Sequence, residues 1–144
     1  MTKQTKMIFK HIVLTLIVGS GIAVVGWHLR PTVWTPMPIV GVCLVVTGFV
    51  LWSIARFQLG SSFAVTAQAR HLVTHGLYSK VRNPIYVFGS FVIAGEILFV
   101  ERPMLLLFFV VLIPIQIWRA GKESKVLEEK FGDEYRNYRA QTWF

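Results

Sequence analysis

Four stretches of this chain are too continuously apolar for the surface of a water-soluble domain, and the rest must be fitted around them. Residues 8–29 form the first; as a helix they reach ~33 Å, enough to cross a bilayer. Residues 38–57, 84–100 and 104–118 follow. Pro84 falls at a first helical turn, where its missing N–H costs nothing, and Pro114 is expected to bend the last span. The last two spans are short, so they are expected to tilt little or to sit in locally thinned bilayer. Gly19, Gly21, Ala23 and Gly26 in the first span and Gly41 and Gly48 in the second leave room for close helix approach.

The polar residues are gathered rather than interspersed. Residues 58–83 are too polar to span and read as a loop with short irregular elements. From residue 119 to about 140, Leu127, Phe131, Tyr135 and Tyr138 recur at helical spacing among charges, which predicts an amphipathic surface helix with Gly132 placed to split it. With an even number of spans, thirteen of the fifteen Lys and Arg fall on one side and only Arg30 and Arg102 on the other. The positive-inside rule then puts both termini in the cytoplasm. Topology thus accounts for a net charge of +8 that would otherwise suggest nucleic acid, and no nucleic-acid partner is expected. Lys3, Lys6 and Lys10 before the first span imitate a signal peptide, but the apolar core is too long and no small-residue cleavage site follows. Cys43 is the one cysteine, so no internal disulfide can form. The expected architecture is an all-α integral membrane protein, a single domain of four transmembrane helices with a cytoplasmic amphipathic C-terminal helix.

Chemistry concentrates in two polar blocks, 71–86 and 119–138. The first contains Leu72-Val73-Thr74-His75-Gly76-Leu77-Tyr78 and then Arg82-Asn83-Pro84-Ile85-Tyr86. The second contains Arg119, Glu123, Leu127, Phe131-Gly132, Glu134-Tyr135 and Tyr138. Together with Arg56 and Leu59-Gly60 upstream, these resemble the signature of the isoprenylcysteine carboxyl methyltransferase family and, more loosely, of the related phospholipid methyltransferases. The resemblance covers roughly residues 56–140; the first two spans match only in being apolar.

That resemblance implies an integral membrane enzyme using S-adenosylmethionine. It implies that Arg70, His71, Leu72, Val73, Gly76, Tyr78, Asn83, Pro84, Ile85 and Tyr86 cradle the cofactor and that Glu123 holds its ammonium group. Arg119, with Arg82 and Glu123, would form the catalytic set facing a lipophilic acceptor. Asn83 stands where the family often has His; it can hydrogen-bond but not titrate.

Physical chemistry is compatible with these roles. A carboxylate acceptor is nucleophilic at neutral pH and needs only to be pinned, as Arg119 could do bidentately. An amine acceptor must shed a proton, for which Glu123 or Glu128 would matter. Composition alone reads Arg119 and Glu123 as an i,i+4 helix pair and Arg82 and Tyr86 as headgroup anchors. His71 and His75 lack the glutamate of a zinc-protease motif, so no metal site is expected. The rival functions are a phospholipid or amine N-methyltransferase, a pyridine-nucleotide-dependent sterol-type reductase, and a non-catalytic membrane adaptor.

Overall fold

The computed structural model describes residues 3–60 and 72–144. Its described residues form five α-helices: α1 (Lys3–His28), α2 (Pro36–Leu59), α3 (Pro84–Phe99), α4 (Phe109–Phe131) and α5 (Asp133–Gln141). Short 3₁₀ turns occupy Gly76–Ser79 and Pro103–Phe108. Three segments are long and apolar enough to cross a membrane, His11–His28, Pro36–Leu59 and Pro103–Phe131, and Pro84–Phe99 is a shorter apolar helix. The all-α membrane architecture expected from the sequence is the one observed.

The tightest packing joins α2 to α3, and glycine makes it possible. A Cβ on Gly41 would lie 2.5 Å from the Phe99 backbone nitrogen, and one on Gly95 would lie 2.7 Å from both the Gly41 carbonyl and the Val45 nitrogen. Any larger residue at either position must push the two backbones apart. Gly41, which left room for contacts of any kind, is therefore spent inside the chain. So is Gly19 of α1, which faces the Phe49 ring. At the far end, Thr35 donates a hydrogen bond to Glu101 at 2.9 Å, tying the α1–α2 and α3–α4 connections together.

At the opposite end α1 is fastened to α2 through a polar contact. Arg56 is almost fully buried; its Nη2 lies 3.4 Å from His11 Nδ1 and its guanidinium stacks 4.8 Å from the Trp52 ring. His11 Nε2 in turn meets the Gly60 carbonyl at 3.1 Å.

The fourth span departs from expectation. Its first turns, Pro103–Phe108, are 3₁₀ rather than α. Beyond them α4 runs without interruption through Pro114 and past Trp118 to Phe131. The change from apolar to charged sequence at Arg119 thus marks a change of surroundings rather than the end of a helix. The break comes at Gly132, where φ is +52°, a left-handed conformation that glycine adopts without penalty. α5 then carries the chain back over the site.

Candidate functional site

Both polar blocks are at one end of the bundle, and they touch. Pro84 opens α3 at its first helical position and is fully buried, fixing where the loop becomes helix. This aims Tyr86, in the first turn, at α4. Its hydroxyl donates to Glu123 Oε1 at 2.6 Å, a short bond of the kind expected when the acceptor is ionised. Arg119, one turn earlier on α4, holds its guanidinium 5.9 Å from the centre of the same Tyr86 ring. The i,i+4 pair that composition suggests is not made. The ion pairs among the described residues join Arg136 to Glu128 and Asp133, and Arg139 to Glu128, leaving Arg119 exposed at the rim.

Below this cluster lies a second aromatic layer. Tyr78 is 6% exposed, and Tyr138 of α5 donates to its carbonyl at 2.7 Å. Burial, then the neighbouring Tyr138, Glu123 and Tyr86, push the Tyr78 phenol well above its ordinary range, so it is neutral throughout the working pH range. Burial likewise pushes Tyr138 up to about 12; Tyr135 acts in the same direction and the nearby Arg82 charge opposes it.

The remaining sequence-derived residues take varied positions. Leu72, Val73 and Ile85 are half-buried. Gly76 adopts φ +61°, and a Cβ there would collide with the Gln58 side chain. Gly76 therefore serves a docking contact on α2 rather than touching Tyr86 or Glu123. Arg82 presents a buried Nε with no partner among the described residues, while its backbone N–H donates to the Trp143 carbonyl at 3.0 Å. Asn83 caps α3 by its backbone alone: its carbonyl accepts from Tyr86 and Val87, and its N–H donates to Phe144 O at 3.0 Å. Arg70 and His71 lie outside the described residues.

Sequence reasoning overlooked two supports. Gln58 Oε1 accepts from the Leu77 N–H at 2.8 Å, so the last turn of α2 fixes the loop that carries Tyr78. The C-terminal segment adds a parallel bridge, Trp143 to Val81, with the Trp143 N–H on the Lys80 carbonyl at 2.7 Å. Neither had a signal in the sequence beyond a polar residue at a span boundary and a terminal aromatic pair.

The donor set suits a cationic ligand with an aromatic portion. Glu123 has one oxygen committed to Tyr86 and a second to offer, and the tyrosine faces beside it favour positive charge and stacked rings. Apolar helices ending in such a cluster define a multi-pass membrane protein with a polar site at one end of its helices. A family model described as phospholipid methyltransferase matches residues 35–134, and the chain belongs to that family. A solved structure of the eukaryotic intramembrane Ras methyltransferase, isoprenylcysteine carboxyl methyltransferase, matches in fold with a TM-score of 0.58 at 22% identity. The match covers 99% of this chain and 52% of that one, so the chain spans about half the length of that enzyme. No curated protein sequence matches.

Proposed function

We propose that the chain is an S-adenosylmethionine-dependent methyltransferase that takes a lipophilic acceptor sideways from the bilayer, and that the acceptor is a prenylcysteine-type carboxylate. The observation that carries this reading is the Tyr86–Glu123 bond, which joins the two polar blocks around one carboxylate. Family membership supports the reaction class.

When bound, S-adenosylmethionine would supply an electrophilic methyl group, whose bond to the acceptor oxygen forms as its bond to sulfur breaks and S-adenosylhomocysteine leaves. The protein's part is alignment and exclusion of water. Glu123 holds the positive end of the donor, and Tyr86 keeps that carboxylate in one orientation. Arg119, exposed at the rim, is free to swing onto the acceptor carboxylate and pin it. The buried Nε of Arg82, without a partner among the described residues, is a second donor available to a ligand. Asn83, unable to titrate, contributes hydrogen bonding rather than proton transfer. The site faces the cytoplasm, with both termini on that side, as the charge distribution favours.

The family model's description favours a second reading, methylation of a phospholipid amine, with Glu123 or Glu128 helping to remove the proton. Methyl transfer from labelled S-adenosylmethionine to N-acetyl-S-farnesylcysteine and to phosphatidylethanolamine, measured side by side in bicelles, separates the two. Transfer to the farnesyl carboxylate supports the first reading. Transfer only to the phospholipid supports the second, and transfer to neither, with the cofactor bound, counts against both.

A further inference from the structure

Two polar side chains continue the site into the apolar part of the helices, and neither has a role in the reading above. Within Phe109–Trp118 every residue is apolar except Gln116. It meets Ser90, one turn beyond Tyr86 on α3: Gln116 Nε2 donates to Ser90 Oγ at 3.1 Å, and Oε1 lies 3.2 Å from the same hydroxyl. Ser90 has a single proton, and the shortest contact its hydroxyl makes as a donor is 2.9 Å to the Tyr86 carbonyl. With that proton spent on Tyr86, Gln116 keeps a carbonyl oxygen and one N–H without a partner among the described residues. Both side chains are only partly buried, at a seam where α3 and α4 are bridged by long side chains.

A Ser–Gln clamp alone would explain adhesion between two membrane helices. It does not explain an amide left half-used on a stretch of α4 whose other residues are all apolar. Position supplies the explanation. Gln116, Arg119 and Glu123 follow at spacings of three and four on one face of α4, and Gln116 is ~4.5 Å deeper than Arg119. A lipophilic acceptor whose reacting group is held by Arg119 must pass its next atoms directly by Gln116.

We propose that Gln116, oriented by Ser90, is a specificity-determining residue: its spare N–H donates to a neutral carbonyl oxygen on the tail side of the acceptor's reacting group. Such a carbonyl occurs both in the amide of an N-acylated prenylcysteine and in the ester of a glycerophospholipid. The inference rests on the proposed acceptor side of the site, but a binding measurement can test it without methyl transfer.

The test compares apparent dissociation constants, from thermal-shift titrations of the full chain in bicelles, for two ligand pairs. The first pair is N-acetyl-S-farnesylcysteine and S-farnesyl-3-mercaptopropionate, which lacks the amide. The second is diacyl- and dialkyl-ether phosphatidylethanolamine. The unmodified chain should favour the carbonyl-bearing member of one pair by about threefold to tenfold, as one hydrogen bond allows. Gln116→Met, of similar volume, should bind both members alike. Ser90→Ala should lose most of the preference too, and it decides the matter if Gln116→Met does not fold. Which pair is discriminated identifies the source of the carbonyl. Lack of preference in both pairs, or a preference that survives both substitutions, overturns the proposal. Calorimetry with S-adenosylhomocysteine, the stable product of S-adenosylmethionine, on the same samples keeps the two ideas apart. Its failure to bind the unmodified chain counts against the methyltransferase reading, whereas a lost carbonyl preference with normal binding concerns Gln116 alone.

Discussion

The Tyr86 hydroxyl and the Glu123 carboxylate, 37 positions apart in sequence, meet at 2.6 Å where the third and fourth helices converge. This contact orients the carboxylate that the proposed function sets against a cationic donor. Glu123→Gln keeps the shape and removes the charge, so binding of S-adenosylmethionine should weaken by tenfold or more, since hydrogen bonds to charged groups contribute about 1.5–3 kcal/mol. Tyr86→Phe leaves the charge but frees the carboxylate, and a twofold to tenfold loss is expected. Calorimetry on the purified variants measures both; equal effects of the two changes would mean that the charge itself does not bind the donor.

Gly76 and Gln58 form the brace beneath Tyr78. Gly76→Ala must place a Cβ into the Gln58 side chain from a left-handed backbone, and should cost about 1–3 kcal/mol. Gln58→Leu leaves the Leu77 N–H without its acceptor and should cost about 1–3 kcal/mol. Thermal unfolding in detergent reads the stability, and both variants should bind S-adenosylmethionine more weakly as the loop loosens. An unchanged melting temperature in Gly76→Ala would show that the loop is not docked on α2.

Gly95 tests the packing of α2 on α3. Gly95→Leu cannot be accommodated against the Gly41 carbonyl without separating the helices, so a loss of at least about 1–3 kcal/mol is expected. Size-exclusion chromatography should show the monodisperse peak giving way to aggregate. Gly21→Leu, at a position with open space, should behave like the unmodified protein.

Alkaline stability should report the aromatic layer. The Tyr138 phenol is held up to about 12 chiefly by burial, whereas in the unfolded chain it ionises near 10. Between those values the unfolded state has fewer protons than the folded one, so stability falls as pH rises. The contribution is fully present below about pH 10 and gone above about pH 12. Tyr78 acts in the same direction. Chemical unfolding followed across this range should show a shallower decline in Tyr138→Phe, which is also less stable at neutral pH by about 1 kcal/mol for the lost bond to the Tyr78 carbonyl. Parallel declines in the two proteins would contradict the buried, neutral phenol.

Much of this was legible in the sequence because hydrophobicity and the bilayer act on long segments. The first three apolar stretches appear as helices within about five residues of their expected limits, and Pro84 and Gly132 act as the start and break their chemistry suggests. That the two polar blocks share one end followed from an even number of crossings. What escaped were the contacts that depend on register. Gln58 looked like any polar residue at the end of a span, and nothing local marks it as the acceptor for Leu77. Trp143 gave no hint that its backbone would pair with Lys80 and Arg82. The continuation of α4 past Trp118 was missed because polarity changes at the membrane boundary while helix propensity does not.

The most direct test of the central claim is calorimetric titration of the purified protein with S-adenosylmethionine, S-adenosylhomocysteine and NADPH. The account predicts that the two adenosyl ligands bind and that NADPH does not. Binding of NADPH alone would place the chain with the reductases and contradict the role assigned to Glu123.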